Sequence, residues 1–285
     1  MSRALSPSLI LAMICGFSFA GLADSIAAPP AGAGGAQAAA GADHAALPPG
    51  YLPRETLPDS FALLPPPPAL GSAAMASDEA ARTDAQRYRG TGRYAQAAVD
   101  AQLTVPAVAQ DFSCALGVEI SQAATPRLYG LMGRMMIDVG LSTYAAKDRY
   151  RRTRPFVAHG AVATCSPKDD AALRNDGSYP SGHSALGWSW GLVLAEIAPD
   201  RADVVLRRGR DFGQSRLICD AHWQSDIDAG RVIAAATVAR LHADPAFRAD
   251  VAAAAAEVAA GRRAGPSPAR DCRAEADALA VAARG

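Results

Sequence analysis

Beyond about residue 77, apolar positions recur at intervals of three and four, and two-residue alternation is hard to find anywhere. The clearest stretch follows Thr125-Pro126, a capping residue with proline at the first helical position. Leu128, Leu131, Met132, Met135, Met136 and Val139 then form one stripe, with the methionines read as core. A further helix is predicted from Ser142 towards Arg151, stopped by Pro155. Gly182 to Ile197 is apolar and ends at Pro199, while Asp200–Ile218 and His222–His242 are amphipathic. Ala252–Ala260 reads as an alanine-rich covering helix. The pattern predicts an all-α fold, a single helical-bundle domain over residues 77–262.

The flanks differ. Arg3 precedes the apolar run Leu9–Phe17, followed by small residues to Ala28, which predicts a signal peptide over 1–27 and export to the periplasm. The run is too short and too interrupted for a membrane span. Residues 28–76 are rich in Ala, Gly and Pro, including Pro65–Pro68, and are expected to form an extended arm or linker. Residues 263–285 read as a C-terminal tail. With Cys15 inside the signal, Cys114, Cys165, Cys219 and Cys272 remain. In an exported chain they favour disulfides, with three pairings open.

Lys and Arg number 28, as do Asp and Glu, so a nucleic-acid surface is not expected. The neutral total hides a basic cluster from Lys147 to Arg154, five cations against Asp148 alone. Lys147 and Arg154 lie seven apart and are predicted to project from one helix face. A point charge and a planar fork suit a phosphoryl group, although a solvated basic face has the same composition. The second segment of interest is Gly177-Ser178-Tyr179-Pro180-Ser181-Gly182-His183-Ser184, a tight turn leading into an apolar helix. It places N–H groups and the Ser181 hydroxyl at a helix N-terminus, an anion site or a plain serine cap. In the third segment, Arg216 precedes His222 and Asp226, whose spacing of four predicts adjacency on one helix face. Asp226 would take the Nδ1 proton and leave Nε2 free to attack, unless the histidine is merely satisfied locally.

Together, Lys-x6-Arg-Pro, Pro-Ser-Gly-His and Ser-Arg-x5-His-x3-Asp resemble the three-part signature of the type 2 phosphatidic acid phosphatase superfamily. Gly-Ser-Tyr-Pro-Ser-Gly-His and the stretch Gln214–Asp226 extend the resemblance to the class A bacterial non-specific acid phosphatases. It covers about residues 77–262 and implies a helical bundle shared with vanadium haloperoxidases. It also implies a phosphoric monoester hydrolase, with His222 as the nucleophile forming a phosphohistidine. His183 is then the general acid and Asp226 orients His222. Lys147, Arg154, Ser181, Gly182, His183 and Arg216 hold the phosphate, and no metal or other cofactor is required.

The expected partners are small phosphate esters, with neither nucleic acid nor stable membrane insertion. Homo-oligomerisation, preferred substrate and phosphotransfer are open. An acidic optimum requires His183 protonated while His222 stays neutral, so the two are expected to be tuned oppositely. His44, His159 and His242 are read as structural or incidental. A lipid phosphate phosphatase is disfavoured because charges such as Glu196, Asp226, Asp228 and Arg231 interrupt the apolar segments. The same pocket residues are compatible with haloperoxidase activity on bound vanadate and with simple phosphate binding. Binding alone would not need an oriented nucleophile beside an acid.

Overall fold

The computed structural model describes residues 49–161, 163–265 and 268–280. The predicted signal peptide and His44 lie outside them. Every regular element among the described residues is helical, as the periodicity requires. In chain order the α-helices are α1 (Ser60–Leu63), α2 (Ala73–Ala85), α3 (Gly92–Asp100), α4 (Val105–Leu116), α5 (Pro126–Ser142), α6 (Tyr144–Tyr150) and α7 (Pro155–Ala158). They continue with α8 (Asp170–Asn175), α9 (Gly182–Ile197), α10 (Ala202–Ile218), α11 (Gln224–Leu241), α12 (Pro245–Ala264) and α13 (Cys272–Ala280).

The apolar helix α9 is the centre, packed against α5, α10, α11 and α12. It is apolar around its whole circumference because it is surrounded: Ala185, Leu186, Trp190, Val193 and Leu194 are all buried. The α5 stripe meets it through Leu128, Leu131, Met132, Met135 and Val139, with Met136 partly covered.

Two glycines set how closely its neighbours approach. A Cβ on Gly209 of α10 would lie 2.5 Å from the Gly187 carbonyl oxygen of α9. One on Gly230 of α11 would lie 2.5 Å from the Ser181 carbonyl oxygen at the head of α9. No side chain fits at either seam, so α9, α10 and α11 meet backbone to backbone.

The segment expected to be an extended arm is, from residue 49 on, laid against the bundle. The Tyr51 and Leu52 amides donate to the Asp138 carboxylate at 2.7 and 3.1 Å, and the Tyr51 hydroxyl donates to Asp250 at 2.7 Å. Ser60 accepts from the Ala146 amide at 3.0 Å. Among the large apolar residues of this stretch, Tyr51, Leu64 and Met75 are buried against the bundle. Composition does not reveal that acceptors on the bundle would pin it.

The expected tail likewise contains α13, joined to α4 by the Cys114–Cys272 disulfide. Buried Arg208 on α10 pairs there with Asp100 and Glu275 at 2.6 and 2.9 Å. Cys165 pairs with Cys219, so one of the three open connectivities is realised.

Replacing Gly230 by Ala is expected to cost about 1–3 kcal/mol through overpacking against Ser181. Denaturant titration measures the loss, and Gly140→Ala, in helix α5 with nothing within 4 Å of its Cβ, is the control expected to show none.

Candidate active site

The pocket forms where the N-termini of α9 and α11, the C-terminal end of α10 and the α6–α7 turn converge. Lys147 sits on the last turn of α6, which ends at Arg151 in the left-handed region (φ 43°). The chain then runs extended to Arg154, the residue capping α7. Lys147 and Arg154 therefore do not share a helix face as predicted; a turn brings them together. Their common neighbour is Asp176, whose Oδ2 accepts from Lys147 Nζ at 3.1 Å and from Arg154 Nη2 at 2.8 Å. The Gly177 carbonyl also accepts from both.

Ser181 caps α9, its Oγ accepting from the Ser184 amide at 3.2 Å. That leaves the hydroxyl proton and the first amides of α9 at a helix N-terminus, with Gly182 keeping the backbone open. Arg216 projects from the last turn of α10 and is 1% exposed. Its Nε and Nη1 have no hydrogen-bond partner, although a buried guanidinium ordinarily satisfies its donors.

His222 lies just before α11 rather than on it, since Trp223 is the capping residue. Its relation to Asp226 is thus made by the turn into the helix and not by a shared face. Arg154 Nη1 lies 2.9 Å from His222 Nε2. A guanidinium can only donate, so Nε2 is the unprotonated nitrogen and Nδ1 carries the proton. Nδ1 is 3.3 Å from Ser178 Oγ and 3.4 Å from Asp226 Oδ2. Ser178 donates its own proton to Asp226 Oδ2, so it stands between the carboxylate and the imidazole.

Asp226 is held on both carboxylate oxygens. Its Oδ2 also accepts from the Trp223 amide at 2.8 Å, and its Oδ1 accepts from Arg152 Nη1 at 2.6 Å. Arg152 is fixed in turn by Asp78 of α2 at 2.7 Å, which accepts from the Ser225 amide at 2.8 Å. Asp220, with φ 63°, is buried two residues before His222 and held by Arg82 of α2 through two hydrogen bonds at 2.6 and 2.8 Å.

His183 places Nε2 3.1 Å from the Ala101 carbonyl. That oxygen can only accept, so Nε2 carries a proton and Nδ1 is the nitrogen that titrates. Burial, then Arg216, depress the His183 pKa well below the ordinary 6.5. His222 is pushed in the same direction by burial, then Arg154, Lys147 and Arg216. The two histidines are thus tuned alike, not oppositely, because both are buried and both lie near Arg154 and Arg216. Lys147 is lowered to about 8 by burial and then Arg154, and Arg216 to about 10 by burial and then Arg154.

All the residues singled out from sequence converge here: Lys147, Arg154, Ser181, Gly182, His183, Arg216, His222 and Asp226. Sequence reasoning misses Asp176, Ser178, Arg152, Asp78 and the Ala101 carbonyl. Arg152 and Ser178 lie inside the conspicuous segments, while Asp78 and Ala101 carry no local signal. His159 pairs with Glu79 at 2.9 Å and lies against the Trp223 ring, centroids 6.0 Å apart, and His242 pairs with Glu196 at 2.9 Å. Among the described residues no group of three His, Cys, Asp or Glu side chains is placed to hold a metal ion.

The chain matches the model of the PAP2 superfamily over residues 128–249, a span holding Lys147, Arg154, Ser181–His183, Arg216, His222 and Asp226. It is 46% identical over 215 residues to a non-specific acid phosphatase of Providencia stuartii, covering 72% of this chain and 86% of that protein. With a non-specific acid phosphatase of Salmonella typhimurium the identity is 43% over 201 residues, 70% of this chain and 80% of the relative. An acid phosphatase of Zymomonas mobilis is 39% identical over 210 residues, 74% and 79% of the two chains. The chain belongs to the PAP2 superfamily and, within it, to the class A bacterial non-specific acid phosphatases. It is an acid phosphatase, and its substrates are phosphate esters.

Asp78→Asn is expected to lower kcat by about tenfold or more and to destabilise the fold by about 3–5 kcal/mol, because it breaks a buried pair that fixes Arg152 in its position against Asp226. Steady-state kinetics and melting measure both. Asp84→Asn, in an exposed pair with Arg87 at 2.7 Å, should change neither.

Proposed function

We propose that the protein is an exported, periplasmic acid phosphatase that hydrolyses a broad range of phosphomonoesters through a phosphohistidine on His222, without a metal ion. The observation that carries this reading is the pairing of a lone-pair-bearing His222 Nε2 with a buried Arg216 whose two nitrogens lack acceptors. A base alone would not need the second, and an anion-binding protein would not need the first.

In this mechanism Lys147, Arg154, Arg216, the Ser181 hydroxyl and the α9 amides at Gly182 and His183 bind the phosphoryl oxygens. They stabilise the charge that spreads over those oxygens as the in-line displacement proceeds. His222 Nε2 attacks phosphorus and the ester P–O bond breaks. The Nδ1 proton stays in the Ser178–Asp226 arrangement, which supports the imidazolium character that develops. His183, protonated on Nδ1, gives that proton to the departing alkoxide while Nε2–H remains on Ala101. Water then attacks phosphorus and gives a proton to His183, the P–N bond breaks with its electron pair returning to His222 Nε2, and inorganic phosphate is released from neutral His222. The three cations supply the charge that a metal ion supplies in other phosphoryl-transfer sites.

The pH dependence follows from the depressed histidines. A neutral His222 persists well into the acid range, and His183 carries its proton only there, since burial and repulsion from Arg216 lower its pKa. The sign is therefore a kcat/KM that falls as pH rises through the free-enzyme pKa of His183, below 6.5. A bound phosphoryl dianion offsets the cations, so the corresponding limb of kcat should lie at higher pH. A kcat/KM profile flat from about pH 5 to 9 would contradict the assignment.

His222→Ala is expected to abolish turnover of p-nitrophenyl phosphate, by a factor of about 10⁴ or more. Acid-labile radiolabel should be trapped on the wild type alone by rapid quench. Prolonged dialysis against a chelator should leave the rate unchanged, and a loss restored by divalent cations would refute the metal-free mechanism. Secretion is checked by sequencing the N-terminus of the mature protein.

A further inference from the structure

Among the described residues, Asp176 is the one carboxylate ion-paired with Lys147 and Arg154, two of the cations read as the phosphate seat. It occupies the C-terminal cap of the short helix α8 in an extended conformation, φ −107° and ψ 132°. A single oxygen, Oδ2, bridges Lys147 Nζ at 3.1 Å and Arg154 Nη2 at 2.8 Å. That is how a phosphate oxygen would sit between the same two heads.

The positions of both cations have separate support. Lys147 also donates to the Gly177 carbonyl. Arg154 donates from Nε to the Asp176 carbonyl at 3.1 Å and from Nη1 to the Ala221 carbonyl at 3.0 Å. Backbone oxygens therefore hold the heads in place, and the carboxylate adds mainly negative charge. Lys147 and Arg154 are deeply buried, whereas the Asp176 side chain is 36% exposed, free to turn towards water. Among the described residues Arg216, the third cation, has no carboxylate in direct ion-pair contact, and two of its nitrogens are unpartnered.

We infer that Asp176 is a built-in competitor for the phosphate seat, a charge-balancing residue that neutralises Lys147 and Arg154 in the free enzyme and weakens the hold on phosphate. A dianion entering between those heads meets a third negative charge, which either turns outward or repels it. Part of the pocket's cationic charge is thus taken up by Asp176 whenever no phosphate is bound. Inorganic phosphate, the last product to leave, is released faster because the carboxylate can replace it. The inference rests on the reading of this pocket as the phosphate seat.

The test is calorimetric titration of inorganic phosphate into wild type and Asp176→Asn, with phosphate inhibition and steady-state kinetics on the same preparations. Asparagine keeps the size and an acceptor oxygen but removes the charge. Phosphate should bind Asp176→Asn about tenfold more tightly, with KM lowered similarly and kcat lowered or unchanged as release slows. Asp176→Ala should move phosphate affinity in the same direction, which guards against an effect peculiar to the amide. Unchanged or weaker phosphate binding in both variants would overturn the inference and make Asp176 a simple clamp. If the wild type itself fails to bind phosphate, the reading of the seat fails with it. Wild-type binding with no gain in the variants rejects only the role given to Asp176.

Discussion

Burying positive charge without matching negative charge is the constraint around which this molecule is arranged. Lys147, Arg154 and Arg216 are 4%, 2% and 1% exposed, yet among the described residues a single carboxylate, Asp176, is ion-paired with the first two and none with the third. Desolvating a cation is costly unless good geometry repays it, and no relaxed chain would hold three of them together. The glycine seams of α9 with α10 and α11 set the backbones close enough to fix the heads of these helices. Bundle packing thus provides the rigidity with which the pocket keeps its charge imbalance, the property on which the proposed phosphate seat depends.

The same field acts on the two histidines. Because His183 and His222 face shared cations, their proton affinities fall together, and what separates them is hydrogen bonding. A carbonyl fixes a proton on Nε2 of His183, and a guanidinium excludes one from Nε2 of His222. Each tautomer is set by a partner that can only accept or only donate, an assignment more robust than one made by a hydroxyl or an amide. The two chemically identical side chains are thus set in opposite tautomers by backbone and arginine placement, the difference on which the proposed division of labour rests.

The sequence is most legible where local periodicity and tertiary role coincide. Helix α9 runs from Gly182 to Ile197 as its apolar run predicts, because a helix buried on every side needs no polar face. The residues converging on the pocket are recognisable because Lys147–Arg154, Ser181–His183 and Arg216–Asp226 form compact motifs. The geometry inferred from spacing fares worse: Lys147 with Arg154, and His222 with Asp226, meet across turns and not along helix faces. Spacing cannot tell a seven-residue helical repeat from a helix followed by an extended segment when Arg151 adopts a left-handed conformation. Ser178, Asp176 and Asp78 escape for another reason. Their meaning lies in which atom they face, and a carboxylate 74 residues upstream of its arginine leaves no trace in local pattern.

The clasp of α2 on the catalytic loops bears on how portable this active site is. The residues that touch phosphate in the proposed mechanism all fall within 128–249, which invites treating that span as a transplantable unit. It is not self-sufficient. A fragment beginning at 128 would strand Asp220, with no exposed side-chain surface, without Arg82, and would leave Arg152 without Asp78. Natural fusions, circular permutants and grafted versions of this site must carry α2 with them, whatever is done to the chain before it.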